Sequence, residues 1–361
     1  MKLRFLWFWL FLGMGLPVGA AWSQTEIPGH PRQLQFEDHQ PSLPTAEGRR
    51  HELDSGPVVY IVEDHTWPLV EIGLATRAGS YLDPPESAGL ASLTATQLRR
   101  GGSGSLGPDE FDNSVDDLGA HMDAKASGSR AGATLSIPTW LLPDGLDLFF
   151  DMISAPRFDS SRLDNARRSL LEGLTRRNED PLAILEREWG WLLYGRDHFT
   201  TRPLTPKTLE SIHREEVVTF HRRYWHPEDM IIAVSGDVAP EEIQKSLDDR
   251  FSRWDETDPA EQPWPPPSPS AGVDPGLFHY EFDSPQAKII LGHRFETLFD
   301  WHDRDRFVLA VVAEILGGRG AVSRVGGRLR TSEGLVYRVL LNLDPGDFWP
   351  GEFQIFFETK P

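Results

Sequence analysis

GLASLTATQLRRGG, residues 89–102, reads as a helix in which no residue can hold a metal ion. The stretch holds no histidine, cysteine, aspartate or glutamate, so it can supply neither a zinc ligand nor a general base. The apolar periodicity predicts a helix over Ser87 to Arg99, closed by Gly101 and Gly102. Immediately before it, PVVYIVED (57–64) and LVEIGLATRAGS (69–80) are β-branched and apolar, and are expected to be two neighbouring strands with His65 to Pro68 as the turn.

Further out, GATLSIPTW (132–140) and MIIAVSGDV (230–238) have strand character. Helices are expected over Asp144 to Ser154, Ser160 to Arg177, Pro181 to Tyr194 and Thr208 to Tyr224. The second is the clearest: Asp159 or Ser160 caps it, and Leu163, Ala166, Leu170, Leu171 and Leu174 line one face. Strands mixed with long helices, without strict alternation, indicate an α+β layer. Residues 253–276 contain seven prolines and no periodicity, as expected of a stiff linker. It divides the chain into a first domain, 51–252, and a second, 277–361, with an apolar helix over Asp303 to Leu316. The second is less than half the length of the first. Either it is an unusually small domain or the sequence is a fragment; the fragment is the expectation, because the chain stops directly after a strand-like run.

The N-terminus has Lys2 and Arg4, an apolar run from Phe5 to Leu16, and small residues around Ala20 to Ser23. This is the pattern of a secretory signal peptide over 1–23, followed by a polar leader over 24–50. The run is too short to span a bilayer, so no membrane span is expected after signal removal, a retained anchor being the alternative. Without residues 1–23 the net charge of −19 becomes −21, which disfavours nucleic acid and anionic membranes as partners. The chain has no cysteine, which excludes disulfides and thiol catalysis.

GSGSLG (102–107) matches G-x-G-x-x-G in form, but a helix rather than a strand precedes it, so it is read as a flexible loop and not a dinucleotide site. His213, His221 and His226 lie close in sequence, yet His221 and His226 do not share a helical face, and surface or half-buried roles are expected for them. No nucleophile elbow, phosphate loop or H-E-x-x-H occurs.

GLASLTATQL, behind its strand pair and SYLDPPESAGL, resembles the metal-site helix of the M16 metallopeptidases, the family of pitrilysin, insulinase and mitochondrial processing peptidase. LGAHMDAKASGSRAGATLSI, LDLFFDMISAPRFD, EVVTFHRRYWHPEDMIIAVSGDV and SRVGGRLRTSEGLVYRV follow in the family's order, so the resemblance spans about 56–361. It implies two-layer α+β domains of mixed sheet and helices, the LuxS/MPP-like metallohydrolase fold, duplicated, with the second copy truncated here. In the family the helix reads G-x-A-H-x-x-E-H: two histidines one turn apart bind zinc and the glutamate takes a proton from zinc-bound water. Those positions are Ser92, Ala95 and Thr96 in this chain. The third ligand, a glutamate, and its supporting acid fall on Gly173 and Ala166, with Glu172 one residue away on a different face. The resemblance therefore implies that this chain holds no catalytic zinc and has no cofactor of its own.

One landmark is retained. The family's second domain supplies an arginine and a tyrosine to the zinc site, and LRTSEGLVY keeps both as Arg330 and Tyr337. Taken by themselves, the two residues read as a surface helix residue and a half-buried strand residue. Through the resemblance they imply a non-catalytic, substrate-gripping subunit of an exported, periplasmic heterodimeric zinc endopeptidase. Its partner would be an M16 subunit carrying H-x-x-E-H and the zinc, and its substrate a peptide. The alternative is a pseudo-peptidase that only binds peptides or acts as a scaffold.

Overall fold

The computed structural model describes residues 45–254, 260, 263, 264, 266, 268, 269, 274–295, 302–318, 322–346 and 348–360. The expected signal peptide, nearly all of the polar leader and much of the proline-rich linker lie outside the described residues. Residues 46–361 form one compact unit containing two sheets.

The first sheet has six strands: β1 (Arg50–Glu52), β2 (Val58–Glu63), β3 (Leu69–Thr76), β4 (His121–Ser127), β5 (Arg130–Pro138) and β6 (Ile231–Gly236). Their order is β1-β2-β6-β3-β5-β4, with β2 and β6 parallel and every other pair antiparallel. The expectation that β2 and β3 are neighbours is corrected, because β6 lies between them. Tyr60 pairs with Ala233 on one side, and Ile72 with Val234 on the other. The parallel β2–β6 pair needs a long crossover, which the intervening helices supply.

Alternation fixes which face is covered. Val70, Ile72 and Leu74 of β3, Ala133, Leu135 and Ile137 of β5, and Ile232 and Val234 of β6 are all buried. Glu71 and Ile231 point to the open face. The helices of this half are α1 (Leu90–Arg100), α2 (Pro108–Asp117), α3 (Leu142–Ser154), α4 (Ser160–Arg176), α5 (Pro181–Tyr194), α6 (Pro206–Glu210), α7 (Arg214–Tyr224) and α8 (Pro240–Phe251), and all but α5 contribute to the core under this sheet. The single helix expected over 208–224 is two. His213 is extended and its backbone N–H donates to Glu216 Oε2 at 2.9 Å, so α7 starts afresh with its own capping residues. The loop 102–107 is also less free than expected. Ser103 is fully buried and bridges to both Leu106 and Pro156, and Gly107 caps α2.

The second sheet contains β7 (Ala287–Arg294), β8 (Val336–Gly346) and β9 (Pro350–Thr359), antiparallel in the order β7-β9-β8. Against it lies α9 (Arg304–Ala313), which continues into a π-helical turn over Glu314–Gly318. The α5 helix is tied to this second sheet. Trp189 Nε1 donates to Glu352 Oε2 at 3.0 Å, and Arg294 Nη1 donates to the Leu193 carbonyl at 2.8 Å. A second tie is aromatic: Phe199 meets Trp349 edge to face at 5.2 Å, and Trp264 of the linker lies between Tyr81 and Phe348.

Candidate functional site

The α1 helix is held at its start by a buried carboxylate. Asp83 accepts the backbone N–H of Gly89 through Oδ2 and that of Ala91 through Oδ1, both at 2.8 Å. Burial pushes the Asp83 carboxyl up to about 6, against the pull of those two N–H donors. Gly89 adopts φ +99, where a side chain is strained, and a Cβ there would stand 2.8 Å from Leu204 Cδ2 and push that side chain aside. Further along, the Gln97 amide donates to the Asp159 carbonyl at 3.3 Å and accepts from Leu163 N–H at 3.2 Å, stitching α1 to the start of α4. The scaffold is therefore fully built.

Its chemistry is not. Ser92 is exposed and Thr96 half-buried one turn later, and Thr96 Oγ1 donates to the Ser92 carbonyl at 2.9 Å. Ala95, at the base position, is fully buried. On α4, Gly173 is exposed and a Cβ built on it meets nothing within 4 Å. Glu172 is exposed beside it, and Ala166 is half-buried. Two hydroxyls, a methyl and a bare glycine do not make a zinc donor set. No group of three or more histidine, cysteine, aspartate or glutamate residues able to hold a metal occurs among the described residues.

Arg330 and Tyr337 do come together. Arg330 sits on a π-helical turn over Gly327–Ser332 and Tyr337 is the second residue of β8. The Arg330 guanidinium carbon lies 5.4 Å from the Tyr337 ring centroid, a cation–π contact. Tyr337 is 72% exposed, more open than the half-buried position expected of it. Among the described residues neither the Arg330 guanidinium nor the Tyr337 hydroxyl has a hydrogen-bond partner. Together with Gly326, Arg338, Val339 and Leu340 they line a cleft of about 190 Å³. A charged fork and a free phenol at an open surface can hold backbone carbonyls and donate to a developing oxyanion.

The histidines are placed differently from expectation. His221 and His226 are buried, while His213 caps α7. His221 Nε2 lies 2.8 Å from the Ile153 carbonyl, and burial pulls its imidazole down to about 4, so it is neutral at pH 7. Sequence held a signal for this: Val217 and Phe220 are buried on the same helix, and Val217 is four residues before His221. His226 lies beyond the end of α7 on extended backbone, so helical spacing never governed it.

The family description "Insulinase (Peptidase family M16)" matches residues 58–188, and "Peptidase M16 inactive domain" matches residues 211–357. An uncharacterized zinc protease of Mycobacterium leprae is 29% identical over 203 residues, which is 55% of this chain and 44% of that protein. A non-peptidase homolog of Helicobacter pylori is 22% identical over 291 residues, covering 79% of this chain and 64% of the relative. Beside the Mycobacterium leprae and Streptomyces coelicolor relatives the chain spans about half their length, 44% and 50%. Among solved structures, a peptidase M16 inactive domain from Pseudomonas fluorescens has a TM-score of 0.75 at 22% identity, over 86% of this chain and 74% of that one. The periplasmic protease PqqL of Escherichia coli has a TM-score of 0.72 at 16% identity, over 99% of this chain and 38% of that one.

Proposed function

This chain belongs to peptidase family M16, and on that premise we propose that it is the non-catalytic, substrate-gripping subunit of an exported heterodimeric zinc endopeptidase. The observation that carries the reading is the contrast within one molecule. The α1–α4 scaffold is intact but has no metal donors, and Arg330 and Tyr337 are paired, exposed and uncommitted. The partner subunit would supply the zinc and the general base. Tyr337 would then donate its hydroxyl proton in a hydrogen bond to the substrate carbonyl oxygen as charge develops on it. Arg330, stacked on the Tyr337 ring, would fix the tyrosine's orientation and hold a substrate backbone carbonyl.

Export, and a periplasmic site of action, rest on the N-terminal run MKLRFLWFWLFLGMGLPVGAAWSQ. Among the described residues no helix is long and apolar enough to cross a membrane. The acidic surface suits cationic or unstructured peptides.

The test is isolation of the tagged full-length chain from its native host, followed by peptidase assays on each component. A stoichiometric M16 partner with H-x-x-E-H, and hydrolysis that needs both chains, is the expected outcome. A chain recovered alone, zinc-free and inactive with any H-x-x-E-H subunit of the same host would overturn it in favour of the scaffold reading.

A further inference from the structure

A second cavity, of about 440 Å³, opens where the end of α3 meets α7, bounded by Arg157, Phe158, Arg222, Trp225, His226 and Trp254 among others. Its volume lies in the range of small-ligand pockets. Two features distinguish it from a packing defect. The first is charge. Arg157, Arg214 and Arg222 line it and no acidic residue does, in a chain whose net charge is −19. Arg222 has no ion-pair or hydrogen-bond partner among the described residues. Arg214 spends Nε and Nη2 on the Phe158 and Arg157 carbonyls, both at 2.9 Å.

The second is the wall. Trp254 stacks on Phe251, and Phe158 packs edge to face on His221. Phe158 is the one non-glycine residue with positive φ, +52, among the described residues.

We propose that this cavity is a binding site for a small anionic ligand, a carboxylate or phosphate group carried on an aromatic body. Arg157 and Arg222 neutralise the anion at the rim, and Trp254 flanks the ring. The inference is independent of Arg330, Tyr337 and any partner subunit, so it stands or falls apart from the proposed function.

Calorimetric titration of the full chain with phenyl phosphate, indole-3-acetate and the neutral indole-3-acetamide tests it. At least one anion is expected to bind at least tenfold tighter than the amide, and which anion wins distinguishes phosphate from carboxylate. Arg222→Ala and Arg157→Ala, both at exposed positions that should leave folding intact, are each expected to weaken it about fivefold. Equal affinity for anion and amide, no binding of either anion at millimolar concentration, or indifference to both arginine substitutions would each overturn the proposal.

Discussion

Two corners of this molecule have drifted in opposite directions. At α1 the architecture survives without its chemistry: Asp83 and Gly89 still set the start of the helix, while the exposed face presents Ser92 and Thr96. At the π turn before β8 two polar side chains stand paired with little architecture around them, a guanidinium over a phenol that is 72% exposed. The difference shows how burial constrains one part of a chain and leaves another unconstrained. A helix that packs against α4, α7 and β4 is fixed by the core it completes, so ligands can be lost from its outer face without loss of the fold. Arg330 and Tyr337 contribute little to any core, so burial gives no reason for their identities.

The comparison breaks most sharply if α1 is no longer a true zinc scaffold. Ser92→His, Thr96→His and Gly173→Glu together should convert a chain that retains no zinc after dialysis into one retaining about one ion. Metal analysis of the triple variant checks this, and failure to retain zinc in a folded variant would mean that the positions have drifted. Next in size, Tyr337→Phe in the assembled peptidase should lower kcat on the order of 10²-fold with zinc content unchanged. Steady-state kinetics on the reconstituted pair decide it, and unaltered turnover would make the tyrosine a remnant.

A third prediction compares buried titrating groups near the two helices α1 and α7. The folded His221 imidazole is pulled from 6.5 to about 4, so the folded chain binds fewer protons than the unfolded one between those values. Its contribution is complete above pH 6.5 and is lost as pH falls towards 4, on the order of 3 kcal/mol. Asp83 works in the opposite sense: raised from 3.8 to about 6, it stabilises at low pH and loses that contribution as pH rises through 6. Denaturant unfolding between pH 4 and 7 should therefore show a shallow acid loss that Asp83→Asn steepens and His221→Phe reverses into a gain towards acid. The smallest effect belongs to Gly173→Ala. With open space around its Cβ and a helical backbone, it should stabilise by about 1 kcal/mol and raise Tm by a few degrees.

Sequence disclosed the elements better than their arrangement. Pro181–Tyr194 was legible to the residue because Asp180 caps it and Gly195 ends it, both local signals. The pairing of β2 with β6 was not, because it depends on residues more than 160 positions apart and on a sheet order that no local pattern encodes. The split between α6 and α7 was hidden by continuous polar-apolar periodicity across Ser211 to His213. At the site, the missing zinc ligands were legible as residue types, since no geometry can turn a methyl into a base. The cavity beside Trp225 was not, since it is assembled from α3, α7 and the end of α8, each unremarkable alone.

The central placement of β6 has a consequence for biogenesis. Until residue 236 has been synthesised and has crossed any membrane on its route, β2 and β3 each carry a bare hydrogen-bonding edge. The first domain therefore cannot close vectorially from its N-terminus; it must wait for a strand that arrives after seven of its helices. During that interval the half-made sheet is a template for any extended segment, which makes the nascent chain, rather than the finished one, the form most in need of a chaperone.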